Sequence, residues 1–347
     1  MTFLLLLLIV FFCAAFLCFF NDERHSAQWA GFLVFIGALV LLAAFRPEYM
    51  DQDYSNYIDY YNGDVDQVIE FTFNWFADLS RSLFDSPHFL FIIYAVLSVC
   101  LRGWGIVRTS NFWSLSIVVW MGNFYLYQDL TQIRVAVAAG IFLIALKPLA
   151  EGKKGTFMLW ALLATCFHYS AFVLLFLAVL GNKPLGTLGR CIIAGVPILG
   201  YALYFVGFDP VVSLPIPWIQ DKIEAYEYLR DSGIAGDSIN VFNVVYLLRI
   251  AAFYIILWKY DVVKDEMPYL SLLLKIFAIS IFCFAAFGAL PVMSFRFAEL
   301  LGSVEVVLFP CLALTVRPAV VGRAVVVMFA LGCLLMNVFY IKLFTFN

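Results

Sequence analysis

Charge is scarce in this chain. Only 13% of its residues are Asp, Glu, Lys or Arg, and the net charge of −3 is spread over short stretches without a basic tail. That distribution excludes an electrostatic nucleic-acid footprint, so no nucleic acid is expected as a partner. Paired cysteine spacing is also missing: the eight cysteines all fall inside apolar runs, with none in CxxC or zinc-ligand spacing. Neither a disulfide framework nor a structural metal is indicated, and these residues read as small packing groups. The opening run MTFLLLLLIVFFCAAFLCFF lacks the basic flank and small-x-small cleavage site of a signal peptide, so it reads as a first membrane span.

What remains is apolar. Hydrophobic residues make up 64% of the chain and the mean hydropathy is +0.96, which describes a polytopic membrane protein. With roughly 20 apolar residues needed per crossing, the candidate segments are 1–20, 28–46, 87–106, 111–128, 132–149, 156–168, 170–182, 187–207, 240–259, 268–290, 297–316 and 319–342. The expected fold is an all-α polytopic membrane helix bundle formed by residues 1–347 as a single integral membrane domain. Two segments are too short to cross, and they lie between the basic stretches EGKK and NKP. A short helical hairpin over 156–182 with His168 at its tip fits both length and charge, because one continuous span would put those two basic ends on opposite sides.

Lys and Arg divide unevenly between the two sides. Arg24, Arg102, Arg108, Lys147, Lys153, Lys154, Lys183, Arg190, Lys259, Lys264, Arg317 and Arg323 fall in one set of loops, against Arg46, Arg81, Lys222 and Arg230 in the other, with Lys342 near the end. The richer side is expected to be cytoplasmic. Both termini, the long loops 47–86 and 208–239, and the hairpin tip then face outward. In the second loop, Trp218, Ile219, Ile223, Tyr226 and Leu229 are spaced as in an amphipathic helix lying on the membrane.

Charged residues within apolar spans are functional candidates, since a guanidinium in hydrocarbon needs a cavity or a counter-charge. Arg249 lies near mid-span, while Arg134 and Arg296 lie near span openings, and together they suggest an anion site. Glu299 sits three residues beyond Arg296, spacing that allows a local pair. Glu305 is deep enough to pair with one of the arginines. The first long loop mixes Asp51, Asp53, Asp59, Asp64, Asp66 and Glu70 with tyrosines. This suits carbohydrate, aromatic faces stacking on sugar rings and carboxylates accepting hydroxyl hydrogen bonds; it equally suits an interfacial aromatic belt with solvated acids.

The succession DYSNYIDYY, the Glu70 segment EFTFN, QIRVAVAAGIFLIAL followed by EGKK, ATCFHYSAF and SFRFAEL resembles the EpsG/Wzy group of polysaccharide polymerases over about residues 45–300. Gln132 precedes Arg134 where the group often has Arg directly followed by Gln, and the Glu70 segment lacks the group's usual Pro-Gly. The resemblance implies a GT-C-like, metal-independent glycosyltransferase in the bacterial inner (plasma) membrane, with no cofactor. Such an enzyme moves a growing glycan from undecaprenyl diphosphate onto another undecaprenyl-diphosphate-linked oligosaccharide, its donor and acceptor. Membrane lipid is its solvent, and a chain-length regulator protein is a conceivable partner.

The residue types suit that chemistry. A departing diphosphate gathers negative charge that guanidinium groups stabilise, which makes Arg134, Arg249 and Arg296 the diphosphate-binding candidates, with Glu299, Gln132 and Tyr169 in support. The Asp51-Gln52-Asp53 stretch is formally a DxD pattern, a weak metal signal in so acidic a loop. His168, with a reference pKa of about 6.5, can take the acceptor's proton, and Glu70 and Asp53 are the rival bases. A flippase for the lipid-linked glycan and an O-antigen ligase are the alternatives. Alternating-access carriers commonly show internal repeats, and no such repeat is evident here.

Overall fold

The computed structural model describes residues 2–20, 26–51, 53–64, 69–207, 239–288, 290–341 and 343–344, with the side chains of 26–28 left aside. Twelve apolar helical segments succeed one another in it. Six are long and apolar enough to cross a membrane (Thr2–Phe20, Pro87–Thr109, Ile133–Ala150, Thr187–Val206, Pro291–Leu314 and Ala319–Tyr340) and six are shorter. The protein is an all-α polytopic membrane bundle; no strand occurs among the described residues, although an isolated bridge joins Asp51 and Phe344.

In chain order the helices are α1 (Thr2–Phe20), α2 (Ser26–Ala44), α3 (Tyr54–Asn62), α4 (Phe71–Phe84), α5 (Pro87–Thr109), α6 (Trp113–Gly122), α7 (Ile133–Ala150), α8 (Lys154–Phe167), α9 (Thr187–Val206), α10 (Val244–Trp258), α11 (Tyr260–Val263), α12 (Leu270–Ala286), α13 (Pro291–Gly302), α14 (Glu305–Leu308) and α15 (Ala319–Leu335). A π-helical stretch, Tyr125–Thr131, joins α6 to α7, and a 3-10 helix, Tyr169–Val179, follows α8. The amphipathic segment expected within 208–239 lies outside the described residues, Ile239 excepted.

The pair α5 and α7 frames the site. Helix α5 opens with Pro87 at its first turn and the Ser86 hydroxyl accepting from the His88 N–H, a capped start that fixes where it begins. A Cβ on Gly105 would stand 2.5 Å from Leu143 Cβ, and about one turn earlier on each helix a Cβ on Gly140 would stand 3.0 Å from Leu101 Cβ and the Arg102 nitrogen. The two helices therefore run in the same direction at backbone contact, and the VAVAAG run of α7 is buried along its length. In this register Ile133 lies level with Ala95, so α7 begins roughly 12 Å inside the point where α5 starts, at 1.5 Å per residue. That shortfall leaves a recess.

Two helices cover the recess where the sequence suggested a long loop. Tyr54, Tyr57 and Tyr61 of α3 are buried while Ser55, Asn56 and Asp59 are exposed. The tyrosine run is thus the inner face of an amphipathic helix, and the expected loop 47–86 is corrected accordingly. Tyr54 and Tyr57 pack on Phe91 of α5, and Phe73 and Phe76 of α4 pack on Tyr94.

The hairpin is present, with a difference in its second arm. Helix α8 has 14 residues and the 3-10 arm has 11. Rises of about 1.5 and 2.0 Å per residue make both arms roughly 21–22 Å long. His168 sits between them in extended backbone, φ −154° and ψ 116°. A second correction concerns Arg102, counted above among loop cations: it lies within α5 and is fully buried.

Candidate functional site

Glu70 is the centre of the site. It precedes α4 with φ −59° and ψ 136°, outside helical geometry, so its carboxylate turns inward, and only 2% of the residue is exposed. One oxygen, Oε2, accepts from Nη1 of Arg134. The other, Oε1, accepts from the backbone N–H of Tyr169 at 3.0 Å and stands 3.3 Å from Nδ1 of His168. Burial alone would raise this carboxyl, but His168 and Arg134 hold it down to about 2, so it is an ionised acceptor at neutral pH.

Each partner is fixed by its own element. Arg134 stands in the first turn of α7, with its guanidinium near the rings of Tyr57, Tyr60 and Phe73 at 5.5–5.9 Å. The free backbone N–H groups of that helix end add positive potential. The hairpin tip is tied to α4 through Thr72, whose hydroxyl donates to Cys166 O at 2.7 Å, and through the Tyr169 hydroxyl, which donates to Ile69 O at 3.2 Å. His168 is 8% exposed, and among the described residues neither Nδ1 nor Nε2 forms a hydrogen bond, Nδ1 being the nitrogen that faces Glu70.

Asp53 and Arg296 belong to the same neighbourhood. Burial pushes the Asp53 carboxyl up, opposed by Asn56 and by the charges of Arg134 and Arg296. Arg296 is exposed on α13 and forms no ion pair among the described residues; the charges of Arg134, Glu70 and Asp53 act on it. Gln132 caps α7, half-buried, its backbone N–H bonded to Tyr127 O at 3.2 Å. The neighbouring acid Asp51 is engaged elsewhere, 3.2 Å from Arg46 and buried with it.

Arg249 is not brought to this cluster. It lies in α10, 1% exposed, donating through Nε to Glu305 Oε2 at 2.6 Å and through Nη1 to Glu299 Oε1 at 2.9 Å. Two carboxylates neutralise it, which is how a guanidinium persists at that depth. Glu299 therefore pairs with Arg249 and Tyr246 (2.7 Å), not with Arg296 as its local spacing suggested.

Sequence reasoning missed a second buried group. Arg102 lies 3.6 Å from Asp129 and donates to Gln128 Oε1 at 2.6 Å, while Trp120 donates to Asp129 at 2.8 Å. Asn123 donates to Glu305 at 3.2 Å. The signal was present in YQDLTQIR, a polar cluster between apolar runs, which reads as a loop unless the chain folds back into the bundle there.

An all-α membrane bundle carrying a recessed Glu–Arg–His constellation beside a second arginine, Arg296, is the class these features define. Residues 29–347 match the model of the EpsG family. The chain belongs to that family, which supports a role in polysaccharide biosynthesis. No curated protein and no solved structure matches it.

Proposed function

We propose that the protein is a GT-C-like, inverting, metal-independent glycosyltransferase. In this reading it polymerises lipid-linked repeat units at the outer face of a bacterial plasma (inner) membrane. The growing glycan leaves undecaprenyl diphosphate and joins the sugar of a second undecaprenyl-diphosphate-linked unit. The observation that carries the reading is the joining of Glu70, Arg134 and His168 from three separate stretches at one recess, beside Arg296, which forms no ion pair among the described residues.

Each group has a role in the step. Arg134, Arg296 and the α7 N-terminus hold the diphosphate and stabilise the charge that develops on it. The Glu70 carboxylate, 3.3 Å from Nδ1, favours the tautomer with its proton on that nitrogen, leaving Nε2 as the acceptor that a general base requires. An acceptor hydroxyl attacks the anomeric carbon from the face opposite the diphosphate. A glycosidic C–O bond forms, the sugar–phosphate C–O bond breaks with its electron pair going to the diphosphate, and the proton passes to Nε2. Asp53, at the rim, holds a sugar hydroxyl. Asp51 is committed to Arg46, which leaves the DxD-like stretch poorly suited to a divalent ion and the arginines to carry the charge.

The test uses purified protein in detergent with native lipid-linked repeat units and no divalent metal. Wild type should make a ladder of lengthened glycans, and folded Arg134→Ala and His168→Ala should not. Movement of the intact lipid across a vesicle bilayer without elongation would overturn the proposal in favour of a flippase. Transfer only to a non-lipid-linked acceptor would favour a ligase.

A further inference from the structure

Helices α7 and α13 are in contact and carry the like charges of Arg134 and Arg296, yet among the described residues no hydrogen bond or ion pair joins either arginine to the other's helix. Like charges on neighbouring helices repel, so their supports must be held in place. The buried polar residues left unused by the chemistry connect those supports. On α13, Glu299 lies three residues beyond Arg296, about 4.5 Å along the helix axis. Its side chain is bonded to Arg249 and Tyr246 of α10, and its backbone carbonyl accepts from Gln128 Nε2 at 3.3 Å.

Gln128 stands in the π-helical stretch that delivers Arg134. Its Oε1 accepts from Arg102, which also donates to Ala136 O of α7 at 3.4 Å. Beyond Arg249, Glu305 accepts from Asn123 at the broken end of α6, and Asn337 donates to both Asn123 Oδ1 and Gly122 O at 3.2 Å. The chain of bonds thus runs from the α7 side to the α13 side without interruption. Gln128 and Arg102 are fully buried and Arg249 is 1% exposed, so water does not compete for these bonds.

We propose that this buried network sets the separation of Arg134 and Arg296, with Gln128 and Arg249 as positioning residues for the diphosphate site. Arg249 then acts on substrate only through α13, and not by contact. The inference rests on the reading of Arg134 and Arg296 as diphosphate ligands. A misplacement of about 1 Å caused by a change far from the chemistry can cost about 10²-fold, so a displaced arginine pair is a large effect. Gly302 supplies a way to shift the network without deleting a charge: a Cβ there would stand 2.5 Å from Arg249 Nη2 and 3.0 Å from Ser280 Oγ.

The experiment measures binding of undecaprenyl diphosphate, carrying no glycan, to the folded fraction of the full chain in nanodiscs. The variants are Arg134→Ala, Gln128→Met, Arg249→Lys, Arg249→Met and Gly302→Ala, with KM and kcat for the lipid-linked donor measured alongside. Gln128→Met, Arg249→Met and Gly302→Ala should each bind about tenfold more weakly and raise the donor KM, with the acceptor KM unchanged and Arg249→Lys recovering part of the loss. Variants that give less folded protein while what folds binds like wild type would overturn the proposal alone, because Arg134→Ala would still show the site. Wild type failing to bind the lipid diphosphate, or binding it no better than Arg134→Ala, would overturn the site reading and the positioning proposal together.

Discussion

Glu70 and Tyr169, 99 residues apart in sequence, are joined by a 3.0 Å hydrogen bond from the Tyr169 backbone N–H to the Glu70 carboxylate. The same carboxylate takes the Arg134 guanidinium on its other oxygen. One buried side chain therefore holds the hairpin tip, the start of α4 and the start of α7 in register, and its removal should be felt in both folding and chemistry.

Glu70→Gln should lower stability by about 3 kcal/mol, the scale expected when one partner of a buried pair is removed. It should also reduce turnover, because Gln cannot hold the His168 tautomer as a carboxylate does. Thermal unfolding in detergent reads the first effect, and single-turnover elongation of the folded fraction reads the second.

Acid should act through the same group. The folded protein holds Glu70 at about 2, against 4.5 for an ordinary glutamate, so its contribution is fully present above pH 4.5 and is lost as pH falls through about 2. The shift corresponds to about 3 kcal/mol. Wild type should lose this increment between those pH values, and Glu70→Gln should show a flatter stability profile there; equal slopes would contradict the assignment.

His168→Ala should lower kcat by about 10²–10⁴-fold, the usual contribution of a positioned general base, while leaving binding of the lipid diphosphate nearly unchanged. Asp53→Asn should instead raise the acceptor KM and spare most of kcat. The reverse pattern, with Asp53→Asn abolishing turnover, would make Asp53 the base.

Arg296→Ala separates binding from folding. Arg296 is exposed and has no ion-pair partner among the described residues, so stability should change by no more than about 0.5 kcal/mol. Loss of a charge-assisted contact should weaken lipid-diphosphate affinity by roughly 10- to 100-fold. Calorimetry and unfolding on one preparation measure both quantities.

The apolar segments were legible because a membrane crossing is a long-wavelength signal that survives without any tertiary information. Arg134 was legible as a candidate for the related reason that charge in hydrocarbon is costly, whereas Glu70 and His168 stood out as a loop acid and a hairpin-tip imidazole within the family resemblance. Tyr54, Tyr57 and Tyr61 had helical spacing, yet an acid-rich stretch between spans reads as loop when the surface that buries it is unknown. Glu299 shows the limit of local rules: an i,i+3 neighbour was visible in the sequence, whereas Arg249, 50 residues away, was the stronger partner and only packing could reveal it. Glu305 did find an arginine, since at its depth a counter-charge was required whichever one it was.

The 3-10 arm of the hairpin buries Ala171, Leu174 and Leu177, one residue in every three, because side chains three apart eclipse in that geometry. Its inner stripe runs straight down the arm and does not spiral around it. Adding or removing one residue would therefore turn a lipid-facing side chain toward the bundle, while a step of three would keep every face and move the tip by about 6 Å. The arm works as a ruler graduated in threes, and together with α8, of nearly the same length, it spans the distance from the hairpin's base to the imidazole at its tip.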